Sequence, residues 1–145
     1  MYCNNKNYSM SNGRFAISVH ILTLLASEPE QYCSSEYLSG SININPVLVR
    51  KELVNLRNHG LVISKEGKTG GSTLAKSAGL IAMSDIYDAV REKQFLGKSI
   101  NEPNPACTIG RQINQHLDDL YRESERALMQ SLDKMTLAEF LQKFS

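Results

Sequence analysis

Residues 45–60 constrain the fold of this chain more than any other stretch, because they mark both ends of one helix. Asn45 is a good N-cap, since its side chain can accept a hydrogen bond from an unpaired backbone N–H of the first turn. Pro46 suits the first helical position, where a missing N–H costs nothing. Gly60 fits the residue just past a helix end, which often adopts a left-handed conformation. The sequence therefore predicts a helix that begins at Pro46 and stops at Gly60.

This predicted helix has one apolar side and one polar side. Val49, Leu53 and Leu56 recur at the spacing of a single buried stripe. The helix is therefore predicted to pack on that side and to present basic and polar groups elsewhere. With each residue turned about 100° from the last, the side opposite the stripe carries Val47, Lys51, Asn55 and Asn58, and its flank carries Arg50 and Arg57.

Shorter elements flank the helix in a recognisable order. Before it, Ser34 or Ser35 can cap a short helix that runs through Leu38. After it, two β-like runs over 61–63 and 72–75 enclose a glycine-rich tip. This order predicts a helix-turn-helix with a β-wing, a unit that places its second helix in the DNA major groove. The predicted fold is mostly α with a small β-wing.

Positive charge is concentrated on this unit. Residues 43–76 hold six Lys or Arg against Glu52 and Glu66, a local charge of +4, whereas the whole chain carries +1. Basic charge on the element that would meet phosphate is typical of double-stranded DNA binding. A serine at the start of the supporting helix often donates to a DNA phosphate, although a cap alone explains a serine there equally well. The residues predicted to contact DNA are Ser34, Ser35, Asn45, Val47, Arg50 and Lys51 and, at the tip of the wing, Lys65, Lys68 and Thr69.

Two other functions fit parts of the same stretch. Gly67-Lys68-Thr69 resembles the end of a phosphate-binding loop, but that motif needs a glycine five residues before Gly67, where the chain has Val62. A nucleotide site is therefore disfavoured. The helix pair could instead belong to a winged-helix module that binds protein without binding DNA, because a fold does not fix a function. This interaction module stays open as the alternative.

Several motifs in this region match a known family. The motifs are Asn45-Pro46-Val47-Leu48-Val49-Arg50, Leu56-Arg57-Asn58-His59-Gly60-Leu61-Val62 and Gly67-x-x-Gly70-Gly71-x-x-Leu74-Ala75. With them the chain resembles, over nearly its whole length, the Rrf-type family of bacterial winged-helix regulators. That family includes IscR-, NsrR- and CymR-like proteins, and the resemblance is strongest to its YwnA-like branch. It implies a sequence-specific transcription regulator, specifically a dimeric repressor.

The chain departs from this family at two places. Cluster-bearing relatives carry three cysteines in the loop before the long helix, since an iron–sulfur cluster needs several thiolates in one place, but residues 97–116 contain only Cys107. The resemblance therefore implies regulation without a cluster, and no cofactor is predicted. Many relatives also have Tyr-Leu-Glu-Gln in the recognition helix, where this chain has Leu48-Val49-Arg50-Lys51. Because Arg prefers guanine edges or phosphate, a relative's operator should not be carried over.

The C-terminal half is predicted to pair two copies of the chain. A long helix opens near Thr108, and a chain of 145 residues offers it few partners of its own, so a second copy is the simplest one. Thr136 and Glu139 form a capping box for a last amphipathic helix. We predict a DNA-binding region over 1–80 and a helical dimerisation region over 81–145, in a single compact unit. The apolar residues of the long helix recur every three to four positions: Ile109, Ile113, Leu117, Leu120, Ala127, Leu128 and Leu132.

Other segment ends are predicted from polar caps and prolines. Ser11 or Asn12 should begin a helix that ends near Ala26, and Ser84 should begin one that ends near residue 92. Residues 1–12 are polar and are predicted to be loosely attached. Residues 97–106 contain two prolines and are predicted to form a loop.

Composition favours a cytoplasmic protein. Cys3, Cys33 and Cys107 are odd in number and widely spaced, which is not a disulfide framework. No apolar run approaches the roughly 18 residues of a membrane span, so no membrane partner is predicted. Residues 15–26 resemble a signal-peptide core, but three polar residues interrupt them and the apolar ones follow helical spacing. An amphipathic first helix is therefore the prediction.

No catalytic constellation is visible, and the chain is predicted not to be an enzyme. His20, His59 and His116 lie far apart without a metal-ligand pattern, so no metal site is predicted. Cys107, near a helix N-terminus, is a candidate thiol sensor, because thiols at such positions can be reactive. A small residue packed at a dimer joint explains Cys107 as well. A thiol-dependent redox enzyme is disfavoured because no partner motif surrounds this cysteine, and no effector is predicted.

Overall fold

The computed structural model describes residues 10–91, 96 and 101–144, and within them the chain is mostly helical. The only sheet in this part of the chain is a two-stranded antiparallel one. The predicted fold class, mostly α with a small β-wing and a long C-terminal helix, is confirmed. The elements in order are α1 (Met10–Ser27), α2 (Ser35–Ile42), α3 (Pro46–Asn58), β1 (Val62–Lys65), β2 (Gly71–Leu74), a 3₁₀ turn (Ala78–Leu80), α4 (Met83–Val90), α5 (Thr108–Asp133) and α6 (Leu137–Leu141).

Both ends of α3 are fixed by local backbone chemistry. Asn45 Oδ1 accepts a hydrogen bond from the Val47 N–H at 2.9 Å, and Pro46 occupies the first helical position. At the other end Gly60 has a φ of 73°. The Leu61 N–H donates to the Leu56 carbonyl at 3.0 Å, and the Gly60 N–H donates to the carbonyl three residues earlier at the same distance. These two bonds form a Schellman motif, so both predicted ends are confirmed.

The supporting helix α2 is longer than the sequence indicated. Ser34 caps it, since its Oγ accepts a hydrogen bond from the Tyr37 N–H at 3.1 Å. The helix does not stop at Leu38 but continues to Ile42. Asn43 then ends it with a φ of 61°, and its N–H donates to the Ser39 carbonyl at 2.7 Å. Asn tolerates the left-handed region better than most residues, which gives a short turn into α3.

The wing is a hairpin that is anchored by a third segment. β1 and β2 pair antiparallel with Val62 opposite Leu74 and Lys65 opposite Gly71. Cys33, in the segment before α2, exchanges two backbone hydrogen bonds with Ser72 at 2.9 and 2.8 Å. A Cβ on Gly71 would lie 2.4 Å from the Cys33 carbonyl oxygen, and Gly71 has a φ of 148°. Only glycine therefore allows this close approach.

One hydrophobic core joins the two halves of the described chain. Leu22 of α1, Val49 of α3, Ile86 of α4 and Leu137 of α6 all belong to it and are fully buried. The predicted stripe of α3 therefore does pack inward. α6 contributes Leu137 to this core and lies against α1, so burial of the Leu137 side chain stabilises their packing by roughly 1.5–3 kcal/mol.

Two predicted helix starts are wrong. α1 already begins at Met10, before both Ser11 and Asn12. α4 begins after Ala82, whose N–H donates to the Asp85 carboxylate at 2.9 Å. Ser84 is buried within α4 and donates to Asp133 of α5 at 2.7 Å, so it joins two helices and caps neither.

Some predictions on chain segments extend beyond the described residues. The predicted loose attachment of residues 1–12 lies outside them up to residue 9 and is wrong over 10–12, which belong to α1. The predicted end of the fourth helix at residue 92 also lies outside them, whereas α4 ends at Val90. The predicted loop is described only over 101–106, where neither helix nor strand is present.

α5 lies on the outside of the molecule. None of its residues is buried, and Ile109 and Leu120 are 73% and 53% exposed. Arg91, at the end of α4, holds the helix by an ion pair with Glu125. Phe144, which follows α6, is 61% exposed. Across the described residues, no helix is both long enough and apolar enough to span a bilayer.

Candidate nucleic-acid interface

The outer side of α3 presents a mixed apolar and basic surface. Val47 is 58% exposed, and Lys51 and Arg57 are also exposed. Asn45 is exposed as well, but its side-chain oxygen is used by the helix cap. The sequence prediction that Asn55 faces outward is wrong. Its amide nitrogen donates to the Ala89 carbonyl of α4 at 2.9 Å, so this side chain fastens α3 to the core.

Arg50 connects the recognition helix to the start of α2. Its Nη1 lies 3.4 Å from Ser35 Oγ and 3.6 Å from the carboxylate of Glu36. Both side chains of the ion pair are more than half exposed, and exposed pairs contribute only about 0–1 kcal/mol. This contact therefore costs little to break. The contact between Glu36 and Arg50 was not predicted from the sequence, although Glu36 follows the cap residue Ser34 by only two positions.

The start of α2 and the tip of the wing enclose a polar recess of about 350 Å³. Ser34, Lys68 and Thr69, three of the residues predicted to contact DNA, line it together. Sequence reasoning missed Tyr37 and Tyr32, which also line the recess and are 49% and 39% exposed. The signal available for Tyr37 was its position three residues after the cap, at the same end of α2 as Ser34.

Lys65 is not at the tip of the wing. It is the last residue of β1, where it pairs with Gly71, and its Nζ lies 5.8 Å from the ring centroid of Tyr32. This exposed cation–π contact places the charge beside the recess. Lys65 therefore stays on the same side of the molecule as Lys68, although the predicted place within the hairpin is wrong.

A buried ion pair holds α3 in place. Glu52 is 5% exposed and accepts two hydrogen bonds from Arg14 of α1, both at 3.0 Å. Asn55 donates to the same carboxylate at 3.1 Å. Because Arg14 balances Glu52, the acidic residue that reduced the local charge of this region does not reach the outer surface. Glu36, which pairs with Arg50, instead places an acidic group on the exposed face.

The two described cysteines have different surroundings. Cys33 is buried beside β2, and burial, with a smaller contribution from Glu28, raises the pKa of its thiol. Cys107 is exposed and caps α5, where its Sγ accepts from the Gly110 N–H at 3.4 Å. Because only one chain is described, its alternative role as a small residue packed at a dimer joint stays a prediction. Its role as a thiol sensor stays a prediction.

The chain is similar to known regulators. The family model described as Rrf2, iron-dependent transcriptional regulator, matches residues 11–143. YwnA of Bacillus subtilis (strain 168), named as an HTH-type transcriptional regulator, is 32% identical over 132 residues, which cover 91% of this chain and 97% of YwnA. These two matches extend over both the wing-bearing half and the C-terminal helices.

Solved structures share the fold. A structure described as a transcriptional regulator from Lactobacillus plantarum gives a TM-score of 0.75 at 24% identity and covers 90% of this chain and 88% of that one. CymR, the global cysteine regulator of B. subtilis, gives a TM-score of 0.68 at 20% identity, with both chains fully covered. At these identities the likeness establishes the fold alone.

The family description mentions iron, but the described residues do not fit an iron centre. Within 10–91, 96 and 101–144, no group of three or more His, Cys, Asp or Glu could hold a metal ion. A cluster needs several thiolates in one place, whereas Cys33 is buried beside the wing and Cys107 caps α5. The family match nevertheless spans almost the entire chain, and a relative at 32% identity covers it equally well. The chain therefore belongs to the Rrf2 family of transcriptional regulators.

Proposed function

We propose that this chain is a cytoplasmic, dimeric repressor that binds an operator in double-stranded DNA, without a cofactor and without catalysing a reaction. The observation that supports it best is the continuity of one surface. The start of α2 contacts Arg50 of α3 through Ser35 and shares a recess with Lys68 of the wing through Ser34. The three elements that a winged helix uses on DNA thus present their polar groups side by side.

Each part of this surface has a physical role on DNA. Val47, Arg50 and Lys51 on the exposed side of α3 would face base edges, where Val47 can pack against a thymine methyl and Arg50 can bond to guanine. The recess would receive a backbone phosphate on the side of Ser34 and Lys68, because the helix N-terminus, the Ser34 hydroxyl and the Lys68 ammonium favour an anion, whereas Glu28 on the same wall opposes one. Lys65 and Thr69 would add contacts to the same strand.

The exposed face of α5 supports the pairing of two copies. Three of its large apolar residues, Ile109, Ile113 and Leu120, are 73%, 36% and 53% exposed within the described chain. A contiguous apolar face of this kind is the usual sign of a protein interface. We assign DNA reading to residues 1–80 and pairing to 81–145. A two-fold pair would then set two recognition helices about one turn of DNA apart.

Two substitutions test the reading surface. Lys68→Ala should weaken binding on all sequences alike and lower the salt slope by about one charge. Arg50→Ala should reduce the free energy of binding to the operator by about 1–3 kcal/mol and that of binding to random DNA by less. The ratio of the two affinities should therefore fall. Lys143→Ala is the matched control, because this exposed lysine lies beyond α6. Affinity is measured on operator and random duplexes at several salt concentrations.

The outcomes separate DNA binding from the alternative. If the Lys68 and Arg50 variants both bind like the Lys143 control, this surface does not meet DNA and the winged helix is a protein-interaction module. If Arg50→Ala lowers the affinity for the operator and for random DNA by the same factor, Arg50 is a phosphate contact and does not read a base.

A further inference from the structure

A large apolar cavity lies between α1 and the C-terminal end of the chain. Its volume is about 830 Å³, within the range of small-molecule sites, and Phe15, Leu24, Met83, Leu132 and Phe140 are among its walls. These residues come from α1, α4, α5 and α6, so the cavity joins the DNA-reading half to the dimerisation half. No part of the proposed DNA surface lines it.

The walls define the chemistry of the occupant. None of the described residues that line the cavity is Lys, Arg, Asp or Glu, so a charged molecule would lose its hydration without finding a counter-charge. The hydroxyls of Thr23 and Ser27 also line the cavity, but both donate to backbone carbonyls of α1. The remaining polar side chains form a pair, in which His20 Nε2 is 3.2 Å from Ser41 Oγ. We propose that this cavity binds a neutral, largely apolar organic molecule that offers one hydrogen-bonding group to His20 and Ser41.

A second copy of the chain is a weaker candidate for this space. The exposed apolar residues of α5 lie between Ile109 and Leu120. The cavity touches α5 only at Leu132, which at 1.5 Å per residue is about 18 Å further along the helix than Leu120. The most exposed part of α5 therefore lies away from the cavity, although the exposed Phe144 lines the cavity itself.

The polar pair connects the cavity to a helix that carries part of the proposed DNA surface. His20 belongs to α1 and Ser41 to the last turn of α2, the helix whose first turn carries Ser34 and Ser35. A ligand that bonds to this pair would touch two helices of the DNA-reading half at once. This regulatory consequence depends on the proposed function, whereas binding of the ligand does not.

N-phenyl-1-naphthylamine is a suitable probe, because it is neutral, aromatic, has one N–H donor and fluoresces strongly in apolar surroundings. We expect saturable binding of one probe per chain. Ala16, an exposed residue of α1, lines the cavity. Ala16→Trp should fill the cavity and lower the affinity for the probe about tenfold or more. Ala106→Trp is the matched control, since Ala106 is exposed and outside the cavity. His20→Ala should lower the affinity for the probe about two- to tenfold, which corresponds to the loss of one hydrogen bond.

The natural chain contains no Trp, so each Trp variant reports its own environment. Blue-shifted emission from Ala16→Trp, with the parent's helical circular dichroism, would place the new ring in the cavity of a folded protein. Absence of saturable binding, or equal binding by both Trp variants, would refute the proposal. Conversion of the parent dimer to a monomer by Ala16→Trp would also refute it, since a second copy would then cover the cavity. None of these readouts involves DNA, so their failure is distinct from failure of the proposed function.

Discussion

The buried carboxylate of the recognition helix offers the sharpest test of how this surface is held. Glu52→Gln keeps the size of the side chain but removes its charge and turns one acceptor into a donor that faces Arg14. Glu52 is 5% exposed and accepts three hydrogen bonds, two from Arg14 and one from Asn55. The substitution should therefore leave a guanidinium without its full set of acceptors.

The expected loss can be bracketed. Breaking one side of a fully buried ion pair costs about 3–5 kcal/mol, and an exposed pair contributes about 0–1 kcal/mol. The Arg14 side chain is 34% exposed, so water compensates part of the loss and we expect about 2–3 kcal/mol. At about 2–4 °C per kcal/mol, the midpoint of thermal unfolding should fall by about 5–10 °C.

Thermal unfolding followed by circular dichroism measures this change. The protomer concentration must be held constant, because unfolding of an oligomer depends on it. Glu66→Gln, on the exposed turn of the wing, is the matched control and should stay within about 0.5 kcal/mol of the parent. If Glu52→Gln is as stable as this control, the pair does not fix α3 and the account of the network is wrong.

Four further predictions concern the cysteines, assembly and metal. Iodoacetamide at neutral pH should label Cys107 well before Cys33, because Cys33 is buried and its thiol pKa is raised; peptide masses check this, and equal rates would contradict it. The same raised pKa means that Cys33 favours folding while its thiol is protonated, so stability should fall as pH rises above 9.0, the ordinary value. The parent protein should scatter light as a dimer and Leu120→Glu as a monomer, since Leu120 is 53% exposed on α5; a monomeric parent at micromolar concentration that still binds DNA tightly would count against the pairing. The protein should stay colourless after anaerobic treatment with iron and sulfide, and a stable brown species with stoichiometric iron would mean that ligands outside the described residues converge.

Local signals allowed the recognition helix to be predicted closely. The two ends of this helix are set at Asn45 and Pro46 and at Gly60. The hydrogen bonds that form these ends join residues no more than five positions apart. The capping box of α6 was predictable for the same reason, and Thr136 Oγ1 does accept from the Glu139 N–H at 3.1 Å. Signals of this kind depend only on neighbouring residues, which a sequence states directly.

The remaining features depend on partners distant in the chain. Arg14 and Glu52 are 38 residues apart, and Ser84 and Asp133 are 49 apart. A serine near a helix start looks like a cap until its distant acceptor is known, which is why Ser84 was misassigned. Asn55 was likewise predicted to face outward because its partner, the Ala89 carbonyl, belongs to a helix that periodicity cannot position.

Most residues of the candidate site were predictable, but the contacts that connect its elements were not. The residues on α3 and on the wing followed from helical spacing and glycine placement. The contact between Arg50 and Ser35, and the recess that Tyr37 shares with Lys68, depend on how α2 packs between them. That packing is set by the core, through Leu38 and Val49 among others, and no single motif encodes it.

The central claim, that α3 and the wing bind a specific operator as a pair, is tested most directly by selecting bound fragments from the source genome. The protein is mixed with sheared genomic DNA at physiological salt, and the retained fragments are sequenced. We expect enrichment of a two-fold symmetric site whose half-sites lie about one helical turn apart, and loss of that enrichment with Arg50→Ala but not with Lys143→Ala. Failure of the parent protein to enrich any symmetric site would contradict the claim and favour a winged helix that binds protein.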